Sequence, residues 1–140
     1  MESWRNIWRN GFAPSLSTTG LVEMRKALKA DDDRILQGAS TVPLALPPHR
    51  GNRPRGACAL SYCGWRGEDL RTVGEVENYL ADLCAEADER LGEPAACRDF
   101  LNWYDDTPRA GMRRDLLAEV ERTLRDRFPV APARITRRAA

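Results

Sequence analysis

The clearest apolar rhythm in this chain runs through Val73, Val76, Leu80, Leu83 and Ala87, which recur at alternating steps of three and four with acids between them. That spacing puts the five on one helical face. Thr72 and Glu75 stand in the T-x-x-E arrangement of a capping box and open the helix. Leu91 extends the stripe and Gly92 ends it.

A second stripe follows, Cys97, Phe100, Leu101 and Tyr104, with Pro94 suited to a first turn. Pro108 opens a third helix, capped by Asp106 or Thr107. Its apolar face is Met112, Leu116, Leu117, Val120, Leu124 and Phe128, and Pro129 and Pro132 end it.

Upstream the pattern is shorter. Trp4, Ile7 and Trp8 would share a helical face, which Gly11 and Pro14 cut short. Ser17 or Thr18 is placed to cap a helix over 19–29 with Leu21, Met24 and Leu28 as its stripe. In "DDDRILQG" an aspartate can cap a short turn over 33–37, closed by Gly38. "ACALSYCGW", 57–65, has small residues and no β-branched ones, so it reads as a short buried helix ended by Gly64, with a buried strand as the alternative. Between them, 39–56 holds four prolines and two glycines. It reads as an extended linker or arm.

The fold class that follows is all-α: a small bundle of four to five helices with a proline-rich extended insertion. The organisation is an aromatic and basic N-terminal segment with a helix (1–38), the arm (39–56), a helical core (57–129) and a basic tail (130–140), in a single domain. The tail is expected to be disordered.

Composition narrows the class. Apolar residues make up 42% and charged ones 31% of 140 residues, a globular balance. No window is long and apolar enough to span a membrane, and the N-terminus lacks the apolar core of a secretory signal. The expectation is a cytoplasmic protein without membrane contact.

Charge is unevenly spread. Residues 68–106 carry twelve acids and three arginines, 107–140 nine arginines and four acids, and 44–67 four arginines and no acid. An acidic helix lying beside a basic one would cancel these fields. Because 20 of the 22 basic residues are arginine and alanine is abundant, arginine richness alone is weak evidence for phosphate binding.

Chemistry is sparsely signalled. Cys58 and Cys63 form a C-x4-C pair, and His49 is the only histidine. Zinc sites are built on such close pairs, but Cys84 and Cys97 lie inside helical apolar stripes, where reduced core cysteine is the ordinary reading. Disulfides are disfavoured by the expected compartment. The three aspartates of "DDDRILQG" lack calcium-loop spacing. Phosphate-cradling glycine motifs are missing. No cofactor is expected.

The function expected is that of a non-catalytic interaction protein, an adaptor or accessory subunit of a larger assembly. Trp4, Trp8, Trp103 and Asp105 are its candidate partner contacts, Trp103 because it lies off its own helical stripe beside an acid pair. The alternative is nucleic-acid association, with Arg50, Arg53 and Arg55 on the arm and Arg134, Arg137 and Arg138 on the tail meeting phosphates. A second alternative is a small enzyme or zinc protein using Cys58 and Cys63 with His49.

Overall fold

The computed structural model describes residues 2–128. Arg134, Arg137 and Arg138 lie outside them. The described chain is mostly helical, as the periodicity predicts, but it holds six α-helices rather than four or five, and two very short strands.

The first helix, α1 (Ser3–Ile7), does not stop at Gly11. It widens into a π-helical turn, Trp8–Phe12, and tightens into a 3₁₀ turn, Ala13–Ser15. Packing explains the run-on. Gly11 sits against Ala87 and Leu91, where a Cβ would meet side-chain carbons at 3.1–3.2 Å. Arg90 donates to the Gly11 carbonyl at 2.8 Å. Pro14 falls in the first turn of the 3₁₀ segment, where its missing N–H leaves no bond unmade.

Helix α2 (Thr18–Ala30) begins at Ser17, whose hydroxyl accepts from the Gly20 N–H at 2.9 Å. It ends at Asp31 in the left-handed conformation. No helical turn follows over 33–37. Asp32 instead accepts from the Arg34 backbone N–H and from its guanidinium, and Ile35 makes an isolated parallel bridge with Ala57. The Leu36 N–H donates to the Ala57 carbonyl and the Ala57 N–H to the Arg34 carbonyl, both at 2.8 Å, so these residues extend beside Ala57 instead of coiling.

The arm is pinned at its base by β1 (Thr41–Val42) and β2 (Gly56–Ala57), paired antiparallel with Thr41 opposite Ala57. A 3₁₀ turn, His49–Gly51, lies between them. The apolar run then forms α3 (Ala59–Gly67), one turn longer than Gly64 suggests. Gly64 is tolerated inside because the Tyr79 ring occupies the place a side chain would need. Gly67 is packed backbone to backbone on α2: a Cβ there would stand 2.4 Å from the Gly20 Cα.

Helix α4 (Val73–Leu91) has the capping box in full, and Gly92 takes the left-handed position after it. Helix α5 (Ala96–Asp106) starts two residues past Pro94, and Asp88 accepts from the Cys97 N–H at its first turn. Helix α6 (Arg109–Arg127) is not capped by Asp106 or Thr107. Thr107 donates to the Trp103 carbonyl at 2.6 Å and closes α5 instead. Met112, Leu116, Val120 and Leu124 of α6 are buried as predicted, whereas Phe128 is 64% exposed.

One apolar cluster joins side chains from α1 through α6. Phe100 is its aromatic hub, with ring centroids 5.0 Å from Phe12, 6.3 Å from Trp8 and 6.4 Å from Trp4. Cys84 and Cys97 do not stay reduced as predicted: they form a disulfide between α4 and α5, with Cα atoms 5.2 Å apart. The turn at Gly92 folds the two helices into a hairpin and sets these positions opposite one another, which spacing along one chain does not reveal.

Candidate interaction surface

Two of the expected protein anchors are interior residues. Trp4 is 4% exposed and Trp8 is fully buried. The reason is electrostatic as well as apolar. Arg5 on α1 and Arg9 in the π turn, beside them, reach across to Glu119 of α6 at 2.8–2.9 Å. Glu119 is 3% exposed, and its carboxyl is held below the ordinary range, first by the Arg9 hydrogen bond and then by Arg5. Trp8 donates its indole N–H to Thr123 at 3.1 Å. Pairing with Glu119 therefore turns this face of α1 inward. Trp103 is half-buried and stacked on Trp4. Asp105 is exposed and accepts from the Gly38 N–H at 2.8 Å.

The predicted cancellation between an acidic helix and a basic one is not seen in the ion pairs. Helix α6 packs on α2 and on the π turn. Its Arg109 and Arg113 bind Asp31 and the carbonyls of Leu28, Asp32 and Ile35. Among the described residues, no acid of α4 or α5 makes a salt bridge.

Cys58 and Cys63 are both buried, and burial pushes both thiols up. Cys58 donates to Ser61, while His49 lies on the exposed arm beside Asn52. The three do not converge. Among the described residues, no group of three His, Cys, Asp or Glu side chains is placed to hold a metal ion.

What the arm exposes is different. Thr41, buried, and Ser40 both donate to Glu77 of α4 and anchor the outgoing strand. The Val73 N–H donates to the Asn52 carbonyl at 2.8 Å, seating the 3₁₀ turn on the start of α4. Arg50 donates to Asn78 and to Ala45. Between these anchors the tip carries Leu44 and Leu46, 57% and 60% exposed. The sequence does not mark them out, because leucines in a proline-rich string give no period.

At the foot of the arm lies a groove of 460 Å³ lined by Arg53, Pro54, Trp65, Arg66, Asp69, Leu70 and Arg71. The Trp65 indole is half-buried, with the Tyr62 ring edge-on at 5.7 Å and the Arg34 and Arg66 guanidiniums 5.8 and 5.7 Å from its centroid. Arg34 is locked in turn by Asp32, whose carboxyl this contact lowers to about 2. The sequence offers Arg53 as a candidate contact but gives no sign of Trp65, Arg66 or Arg71. Arg55 is exposed on the returning strand side, its N–H donated to the Val42 carbonyl at 2.7 Å.

Comparison with protein-family models, curated proteins and solved structures finds no match to this chain.

Proposed function

We propose that this chain is a non-catalytic interaction protein, an adaptor or accessory subunit, and that its contact with a protein partner is made by the arm. The observation that supports this reading is the pair Leu44 and Leu46, held out from the body on a segment anchored at both ends. Exposed apolar side chains on a tethered loop suit insertion into a partner's apolar pocket, because the ordering cost is already partly met. Arg50, Arg53 and Arg55 flank them as a polar rim. The partner surface is thus moved from the tryptophans to the arm. A second reading, association with nucleic acid, draws on those same arginines.

The test is a comparison of the wild-type chain with Leu44→Ser/Leu46→Ser. Both are tagged, recovered from the native host with nuclease present, and read by mass spectrometry. A stoichiometric protein partner lost from the double variant, with unfolding temperature unchanged, supports the arm. The same partner held equally by both proteins sinks it.

A further inference from the structure

The groove at the foot of the arm shares only Arg53 with that contact, and it extends the nucleic-acid reading to a defined site. Its lining is ordered around an aromatic ring. Three separate segments each supply one arginine: the arm gives Arg53, the last turn of α3 gives Arg66, and the α3–α4 connection gives Arg71. The total number of arginines in the chain carries no weight here; the meeting of three of them with Trp65 in one groove does. Among the described residues, Arg53 and Arg66 have no ion-pair partner, and Arg71 meets Asp69 only at 3.7 Å. Three guanidiniums against one carboxylate leave the groove positive.

Trp65 is prepared to be a platform. Tyr62 supports it edge-on, and Arg34, tied to Asp32 and donating to the Tyr62 hydroxyl at 3.2 Å, holds the other member of the pair. A ring fixed in this way loses little freedom when something flat is laid on it. The groove's volume falls in the range that holds a small organic group. Leu70 and Pro54 are its only aliphatic lining, too little to anchor an apolar peptide side chain. Aromatic faces beside arginines are the usual means of holding single-stranded nucleic acid: the base stacks and the phosphates meet the cations.

We propose that this groove binds an unpaired nucleotide of single-stranded RNA or DNA, its base stacked on Trp65 and its phosphates met by Arg53, Arg66 and Arg71. Duplex is a poor fit because its bases are not free to stack. Binding is sequence-tolerant, since every base offers a face. Asp69 supplies the one carboxylate acceptor in the groove, and it favours bases that present an N–H on their exposed edge.

The test is fluorescence anisotropy of the 140-residue chain with labelled ten-nucleotide oligo-U and oligo-dT over a series of salt concentrations. The variants are Trp65→Leu, Trp65→Phe, Arg66→Gln and Arg53→Gln. Trp65→Leu is expected to weaken binding about tenfold without changing the salt slope, and Trp65→Phe to keep most of it. Each arginine variant is expected to lower the slope by roughly 0.7 to 0.9. Arg66 and Arg53 are exposed, so their variants keep the test valid even if Trp65→Leu unfolds. A preference for oligo-U over oligo-dT identifies RNA, and the reverse identifies DNA. Three results would each overturn the proposal. One is no saturable binding at low salt. Another is binding indifferent to these four variants. The third is displacement of the oligonucleotide by polyglutamate of equal charge, which marks a site for acidic protein.

Discussion

The indoles of Trp4 and Trp103 lie face to face, 3.7 Å between centroids and 4° from parallel. One belongs to α1 and the other to α5, so the stack joins the N-terminal segment to the α4–α5 hairpin. Trp4 is the buried member and Trp103 the half-buried one. Trp4→Ala is expected to cost about 3–5 kcal/mol by leaving a cavity beside Phe100. Trp103→Ala should cost less, since part of its ring is already in water. Urea unfolding of the two variants measures this, and a Trp4→Ala protein as stable as wild type contradicts the packing.

Glu119 sets a pH dependence. Its folded-state carboxyl is depressed below the ordinary 4.5 by Arg9 and Arg5. A depressed acid stabilises the fold above its unfolded value, and that stability is lost as pH falls through the folded value. Glu119→Gln is expected to lose about 1.5–3 kcal/mol at pH 7, the range for hydrogen bonds to charged groups. The gap between variant and wild type should close as pH drops below about 4.5. Chemical denaturation at pH 7 and pH 3 reads both. A gap that persists undiminished at pH 3 rejects the assignment.

Tyr104 closes the junction of three segments. Its hydroxyl accepts from the Ala59 N–H at 3.1 Å and donates to the Leu36 carbonyl at 2.6 Å. Tyr104→Phe keeps the ring and strands one buried and one part-buried backbone group. The expected loss is about 1–3 kcal/mol, seen as a lower denaturation midpoint with an unchanged slope.

The Cys84–Cys97 bridge is countable. Denaturing the protein in an alkylating reagent without reductant should label two cysteines, Cys58 and Cys63. Adding reductant first should label all four and lower stability by about 2–4 kcal/mol. Made on protein taken directly from its host, the same count also reports the compartment, because such bridges persist where the surroundings are oxidising. Four labels without reductant would place the chain in a reducing compartment.

Where a helix is decided by its own residues, the sequence is a sound guide. Ser17, the Thr72 and Glu75 box, and Gly92 mark their helix ends because each acts within four residues. Thr107 misleads because the Trp103 carbonyl behind it competes for the same hydroxyl. Gly11 and Pro14 mislead because Ala87, Leu91 and Arg90, far along the chain, decide what that backbone does. The candidate site follows the same division. Arg53 is visible as part of a proline-rich basic arm. Trp65 is not, since a half-exposed tryptophan and a core one look alike until Tyr62 and Arg34 are placed around it. Trp4 and Trp8 look available only while Glu119, more than a hundred positions away, is out of view.

The lacing of α1 and the two turns after it to α6 bears on how the chain is made. Trp8 is bonded to Thr123, 115 positions later, and Arg127 donates to the Ala13 carbonyl at 2.8 Å. At translation rates of about 5–20 residues per second, α1 waits on the order of ten seconds for its cover. During that time the nascent chain shows Trp8 and its neighbours to solvent or to a chaperone. Helix α1 is housed only after α6 has followed it.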